Sequence, residues 1–508
     1  MQMGGRLLAV LVVGACWIGS APARGADDAG WEKPLRASLE QMADQLTATL
    51  KPWAVPDRTF KVEDFGAAAD GNTVNTTAIQ KAIDKCSQSG GGVVLLSKGD
   101  YVTGTIEFKS GVMLQVDRGA RLLASTRLAD YPDRVATHQT IMETHYKMRL
   151  CLIYAENCER IGIRGPGIID GRGKNFPGKE GSGAIPGRPF LLRIIECHQV
   201  VMDGIHLVNA AAWMENYLNC DDLIIQGITS NNQANWNNDG VDIDGCRNVI
   251  VRNSSFISED DGLCFKGAGM RMMENVLVEN CKAYSSCNAL KFGTDSQGGF
   301  CNVVIRNVEL GGIPANEMSP GIPPKGRKDR TISGISWETV DGATIENVLV
   351  TNAHITRAEV PIFLRIGNRG RTKPGLPKPA PGVLRRLIFE HITGDSISGN
   401  ASIIAGIPGH RVEDVIICDV NISMAGGGTA AEATRNPGEG AGGYPDAFMF
   451  GTVPAYGFWM RHAENIMLEN IRVNPLSPDA RPEFGGRDAL NIVIDGKPFP
   501  LGANLDHS

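Results

Sequence analysis

The chain of 508 residues carries 50 Lys and Arg against 56 Asp and Glu, a formal charge of −6. That balance provides no global basic field, which argues against nucleic acid or an anionic membrane as partner and leaves any anionic ligand to be met by local cations. Its 61 glycines and 6% aromatic content suit a repetitive β architecture, although the length alone would also allow two or three ordinary domains.

Arg6 precedes an apolar run over residues 7–18, and Ala21, Pro22 and Ala23 provide a small-x-small cleavage pattern. Residues 1–23 therefore read as a signal peptide, and a soluble, secreted or periplasmic protein is expected; a single N-terminal anchor is the alternative. No later stretch reaches the roughly eighteen apolar residues of a membrane helix. Residues 24–58 read as an extension, with an amphipathic helix over 35–50 and a proline-flanked linker over 52–56. Residues 59–508 read as one domain. Near its start, residues 78–87 predict a helix capped by Thr76 or Thr77, with Ile79, Ala82 and Ile83 on one face and three glycines at 90–92 ending it.

Short apolar runs then recur, opening at Ile161, Val200, Leu223, Val249, Val276, Val303, Val348, Leu387, Val415 and Ile466. From Val200 the spacings are 23, 26, 27 and 27 residues, lengthen to 45 and 39 where Gly, Pro and Arg accumulate, and return to 28. A period of this size marks a solenoid with inserted loops. Cys158, Cys197, Cys220 and Cys246 each precede their run by three residues, and read as a buried column of free thiols rather than a disulfide framework. Asn253, Asn280, Asn307, Asn352 and Asn470, with Asp419, follow at four residues. Asparagine favours left-handed turns over strand interiors, so these predict a ladder of stacked turns between short strands. The expected architecture is all-β: a right-handed parallel β-helix with rungs about 4.8 Å apart, an N-terminal capping helix over its open edge, long loop insertions, and a C-terminal cap over about 474–508 where the repeat fades after Val473.

Chemistry concentrates between residues 235 and 291. Asp239 follows Asn237 and Asn238 and precedes Asp242; Asp260 and Asp261 come 21 and 22 residues later, about one coil. Stacking then sets Asp239 beside the pair, and neighbouring Asp260 and Asp261 converge only where the backbone bends. Clustered carboxylates raise one another's proton affinity, so one stays protonated. Glycoside hydrolysis needs that division: an acid for the leaving oxygen and a carboxylate to activate water or attack the sugar. Aspartates in Gly- and Asn-rich turns are also commonly solvated or bind calcium; three at a one-coil interval favour catalysis.

Residues 60–67, with Asp70, Gly71 and the glycines at 90–92, resemble the N-terminal rung of glycoside hydrolase family 28, the polygalacturonases and their relatives. The stretch from Arg188 and Pro189 through Cys197 to Trp213 is similar too, and the Asn237-x-Asp239 motif followed by Asp260, Asp261 and Lys266 is the most specific part. The resemblance implies hydrolysis of a pectic, anionic polysaccharide, with Asp260 as general acid, Asp239 and Asp261 holding and deprotonating water, and inversion at the anomeric carbon. Two motifs depart from the family's pattern: Asn288 stands at its histidine, and Ser336, Trp337 and Glu338 stand at its Arg-Ile-Lys, so a glutamate faces where a lysine would grip a substrate carboxylate. Arg365 and Arg369 are candidate replacement cations, since a guanidinium can fork onto a carboxylate; Arg371 reads equally well as part of a solvated loop. The expected substrate-binding set is Asn238, Asp242, Lys266, Asn288, Lys291, Glu338, Arg365 and Arg369. Trp213, Trp236, Trp337, Tyr444, Tyr456 and Trp459 are candidates for stacking on sugars or for packing, Trp236 and Trp337 the better ones for the groove. Inserts at 311–330, 367–382 and 425–456 are placed to close one end of that groove or to stay flexible.

No HExxH or paired CxxC spacing appears, so no metal is expected, nor any other cofactor; the glycines at 90–92 precede a strand-like run, which makes a phosphate loop a weak reading. A monomer is expected. Two rival functions remain: a calcium-dependent polysaccharide lyase on the same coil, leaving unsaturated products, and a non-catalytic glycan-binding solenoid.

Overall fold

A computed structural model describes residues 30–144, 147–178, 187–319, 329–396 and 398–499; the leader expected at 1–23 lies outside them. The strands stack into a parallel β-helix in which each early coil contributes three strands. One ladder runs through Glu159–Arg164, His198–Asp203, Asp221–Gln226 and Arg247–Arg252. A second runs through Ile168–Asp170, His206–Val208, Thr229–Asn232 and Ser255–Ser258. The third, Cys151–Glu156, Phe190–Ile195, Glu215–Leu218, Val241–Asp244, Leu263–Gly267 and Asn288–Ser296, carries the functional residues. Val200, Leu223, Val249, Val276 and Val303 stack in register on the interior, and each is buried.

Polar turns keep this stack in phase. Asn253, Asn280, Asn307, Asn352, Asp419 and Asn470 all adopt left-handed backbone, with φ between 50° and 56°. Their amides climb the coil: Asn280 donates to Asn253 at 3.3 Å, Asn307 to Asn280 at 3.2 Å, and Asn352 to Asn307 at 3.1 Å. A second ladder, Asn248, Asn275, Asn302 and Asn347, precedes the same apolar runs by one residue. Cys158, Cys197, Cys220 and Cys246 are buried free thiols, and the column continues in register as Met273, Phe300 and Ile345. Once stacked this way a thiol is interchangeable with a larger apolar group, consistent with a packing role.

Helix α2 spans Thr76–Gln88 and buries Ala78, Ile79, Ala82, Ile83 and Cys86 against the first rungs. Its N-cap is Asn75 rather than a threonine; the Asn75 side chain ties back to Ala68 and Thr73, freeing Thr76 to start the helix. Helix α1, Glu32–Thr49, does not cap an end. It lies along the outside of the coil, with Leu39, Ala43 and Leu46 packed on Ile250, Leu277, Val304, Leu349 and Ile388. These are the middle residues of the apolar runs, which point outward; an apolar middle residue marks a strand covered on both faces. Trp53, in the expected linker, packs on Met113 and Val201 and donates to the Ile161 carbonyl at 3.4 Å.

The repeat does not fade after Val473. Phe484–Ile494 adds another parallel rung, with Ile492 in register on Ile466, before Lys497–Pro498 pairs antiparallel to it. The repeat persists there with interior alanine and glycine, Ala489 on Ala463 and Gly486 on Met460, which weakens the apolar signal.

Candidate active site

Register brings the aspartates together. Val241 pairs with Leu263, and Gly240 N donates to the Asp261 carbonyl at 2.8 Å, so Asp239 stacks on Asp261. Glycine is required between the rungs: a Cβ on Gly240 would lie 2.5 Å from the Gly262 carbonyl oxygen. Asp260 and Asp261 occupy a bend between Ser255–Ser258 and Leu263–Gly267, held by Ser258 Oγ on the Asp260 carbonyl at 2.8 Å. Asp239 and Asp261 offer oxygens within 4.8 Å of each other, as do Asp260 and Asp261. All three are recessed, between 3% and 6% exposed.

Buried donors orient each carboxylate. Asn288 Nδ2 donates to Asp261 Oδ1 at 2.9 Å, and Asn237 Nδ2 to Asp260 Oδ2 at 3.1 Å. Asn237 sits at φ 53° and is gripped by Arg188, whose guanidinium donates to Asn237 Oδ1 at 3.0 Å and to the Trp236 carbonyl. Lys266 lies 3.1 Å from Asp242 and 3.6 Å from Asp239. Lys291 lies 3.3 Å from Asp261 and 3.8 Å from Glu338.

These surroundings set proton affinities. Burial, then the charges of Asp242 and Asp260, pushes the Asp239 carboxyl well above the usual range, with Lys266 pulling back. Burial raises Asp242 and Asp244 to about 7, against Lys266 for the first and the Gly269 amide for the second. Burial also raises Glu338 to about 7 against Lys291. For the lysines burial works downward, but Asp242 at Lys266 and Asp261 at Lys291 override it and hold both ammoniums charged. Burial thus favours a retained proton on Asp239, the residue that the family resemblance assigns to the attacking water rather than to the leaving oxygen. Asp239, Asp261 and Cys264 lie close enough to share a metal ion, as do Asp260, Asp261 and Cys287, but Lys266 and Lys291 already place two cations among these oxygens.

A family model for glycosyl hydrolases family 28 matches residues 86–441. The chain belongs to that family. It is 25% identical over 389 residues to a probable polygalacturonase of Vitis vinifera, covering 71% of this chain and 74% of the relative. It is 26% identical to an exo-poly-alpha-D-galacturonosidase of Dickeya chrysanthemi over 52% of each chain, so it spans about half the length of that relative. The structure of a Thermotoga maritima exopolygalacturonase superposes with a TM-score of 0.64 at 19% identity, covering 91% of this chain and 97% of that one, which shows the shared fold.

Asn288, expected at the position of the family's histidine, donates to Asp261 and lies within the aspartate cluster. Other expected substrate contacts are committed elsewhere. Asn238 is fully buried and donates to the carbonyls of Ala210 and Ala212; its amide shapes the turn carrying Asp239. Arg365 is 1% exposed and holds the carbonyls of Gly406 and Glu439 at 2.8 and 2.7 Å, so it anchors a loop rather than facing a ligand. Arg369 forks onto Asp341 and Thr294. Asp242, Lys266, Lys291 and Glu338 form the buried charge grid under the aspartates. Trp337 points into the coil against Phe292, because strand alternation turns it away from the groove, whereas Trp459 lies on the groove-side row but is covered by Phe450. Trp213 lies against Lys266, whose Nζ is 4.7 Å from its ring centroid, and Tyr444, 53% exposed, lies 5.6 Å from Lys291 Nζ. Sequence reading missed the roles of Arg188, Glu215 and Asp244. Only Asp244 had a visible signal, its alternation with Asp242.

Proposed function

We propose that this family 28 member is an exported or periplasmic hydrolase of pectic polysaccharide, galacturonan or rhamnogalacturonan. Asp260 protonates the leaving oxygen as the bond to the anomeric carbon breaks. Asp239 and Asp261 hold a water, which delivers its hydroxyl to that carbon and its proton to the carboxylate pair. The observation carrying this reading is the one-coil stacking of Asp239 on Asp261 with Asp260 at the adjoining bend. Asp239 Oδ1, without a hydrogen-bond partner among the described residues, suits a water-binding role. Among the described residues no helix is long and apolar enough to cross a membrane.

Inversion follows from the family resemblance. A second reading is retention, which needs the two carboxyl groups about 5–5.5 Å apart rather than about 6.5–9.5 Å, and the adjacency of Asp260 and Asp261 in one bend favours testing it. Reducing-end release from galacturonan and rhamnogalacturonan, with product anomers followed by NMR and absorbance monitored, tests both. Aspartate-dependent release with inverted anomer is expected. Retained anomer supports a covalent intermediate, and unsaturated product sinks hydrolysis in favour of a lyase.

A further inference from the structure

The floor of the site is the outward row of the third ladder, and it is covered at both ends. In register the row reads Tyr154, Arg193, Asn216, Asp242, Cys264 and Lys291. It continues as Ser336, Phe363, Ile403 and Trp459.

The N-terminal end lies under residues 131–144 and 147–149. Glu143 forms a buried ion pair with Arg193, itself 1% exposed. Arg134 lies over the Tyr154 ring with its Cζ 5.7 Å from the centroid. Ala136 and Met148 pack with Phe190, Trp213 and Leu218. His138 reaches across several rungs to the Gly269 carbonyl at 3.0 Å.

The C-terminal end lies under residues 437–455. Phe363, Ile403 and Trp459 are buried beneath Ala447, Phe450 and Val453. That cover is fastened by Arg365 on the Glu439 carbonyl at 2.7 Å, by Asn368 N on the Ala441 carbonyl at 2.6 Å, and by Arg461 and His462 on the Glu439 carboxylate.

Between these walls only five floor positions remain, Asn216 to Ser336, or about 19 Å at the usual strand spacing. A linear polysaccharide advances about one strand spacing per sugar unit, so the recess holds about five units at most. Asp239 and Asp261 belong to the Asp242 and Cys264 rungs, which leaves about two rungs, roughly 10 Å, on the side walled by Arg193. A polymer lying along the coil axis meets a wall in both directions.

We propose that this site accepts a chain end and not the interior of a polymer, and that it releases one or two sugar units per cleavage. The inference rests on the hydrolytic reading above, and the step is the same: water adds across the bond, its hydroxyl to the anomeric carbon and a proton to the departing oxygen.

The test uses the wild-type full chain on galacturonan and rhamnogalacturonan labelled at one terminus, following viscosity against reducing ends and sizing the products. Products of one or two units should dominate from the first few per cent of hydrolysis, with viscosity largely kept. The label should leave either at once, in a one- or two-unit product, or only with the last remnant. Early loss of viscosity with labelled fragments of intermediate length would overturn chain-end action while leaving hydrolysis intact. Absence of any hydrolysis would overturn the hydrolytic reading and this inference with it.

Discussion

Glu215 is the least expected residue of the coil, an acid on an interior column between Leu192 and Val241. Burial raises its carboxyl to about 8, although the Tyr217 hydroxyl, donating to Oε2 at 2.6 Å, pulls it back. The folded state therefore keeps a proton that the unfolded chain releases near 4.5. The associated stability is fully present below about pH 4.5 and is lost as pH rises through about 8. At pH 7 the loss comes to about 3 kcal/mol, and at pH 5 to under about 1 kcal/mol, at about 1.4 kcal/mol for each unit of separation. Glu215→Gln keeps the shape and the acceptor for Tyr217 without titrating. The variant should gain about 2 kcal/mol on wild type between pH 5 and 7, read as diverging urea midpoints. Every other shifted group is common to both proteins, so a constant offset across that range would refute the raised proton affinity of Glu215.

Asp260→Asn should lower kcat by about 10² to 10⁴ if Asp260 is the general acid, measured as reducing-end release with unchanged circular dichroism. Arg188→Met should lower kcat more than it raises KM, because it frees Asn237 from its grip and thereby misorients Asp260; Arg188→Lys should recover only part of the rate, as one ammonium cannot replace the fork. Lys291→Met leaves Asp261 and Glu338 facing each other without a counter-charge, and should cost about 3–5 kcal/mol. Adding Glu338→Gln should return part of that in a double-mutant cycle of denaturation midpoints. Leu39→Ala should cost about 2–5 kcal/mol by opening a cavity between α1 and the outer face, without changing activity at temperatures where the fold persists.

The fold was legible because a coil repeats. Once Val200, Leu223 and Val249 define one column, the positions of Asn253 and Asp239 on their rungs follow from counting, and the structure keeps that count through Asp261 and Asn288. Direction was harder. Trp337 and Lys291 lie on adjacent rungs of one ladder, yet one side chain faces the core and the other the site, and the inserts blur the register that would say which. Arg365 carried the chemistry of a ligand-binding residue, but its partners, the Gly406 and Glu439 carbonyls, lie 41 and 74 residues away and belong to no repeat. The added rung at Phe484–Ile494 escaped notice because alanine and glycine fill its interior beside a single short apolar run.

The outward rows show why chemistry sits where it does. Along one ladder the outward row is apolar from Ile250 to Ile388 and lies under α1. Along the third it is apolar from Phe363 to Trp459 and lies under the insert. Among the described residues, the third ladder turns polar or small side chains outward from Asn216 to Ser336, and all of them are buried. Burying such a strip is tolerated only when its charges are paired, which Lys266 and Lys291 accomplish by each bridging two carboxylates. The same bridging means that a substrate carboxylate must compete with Asp239 and Asp242 for Lys266, and with Asp261 and Glu338 for Lys291. Recognition by this floor therefore draws mainly on hydroxyl-directed hydrogen bonds and on the aromatic faces of Trp213 and Tyr444, so exchanging a uronate for a neutral sugar at the Lys291 rung should change kcat/KM by less than tenfold in matched oligosaccharides. A larger preference for the uronate would show that one of these ammoniums leaves its carboxylates when substrate arrives.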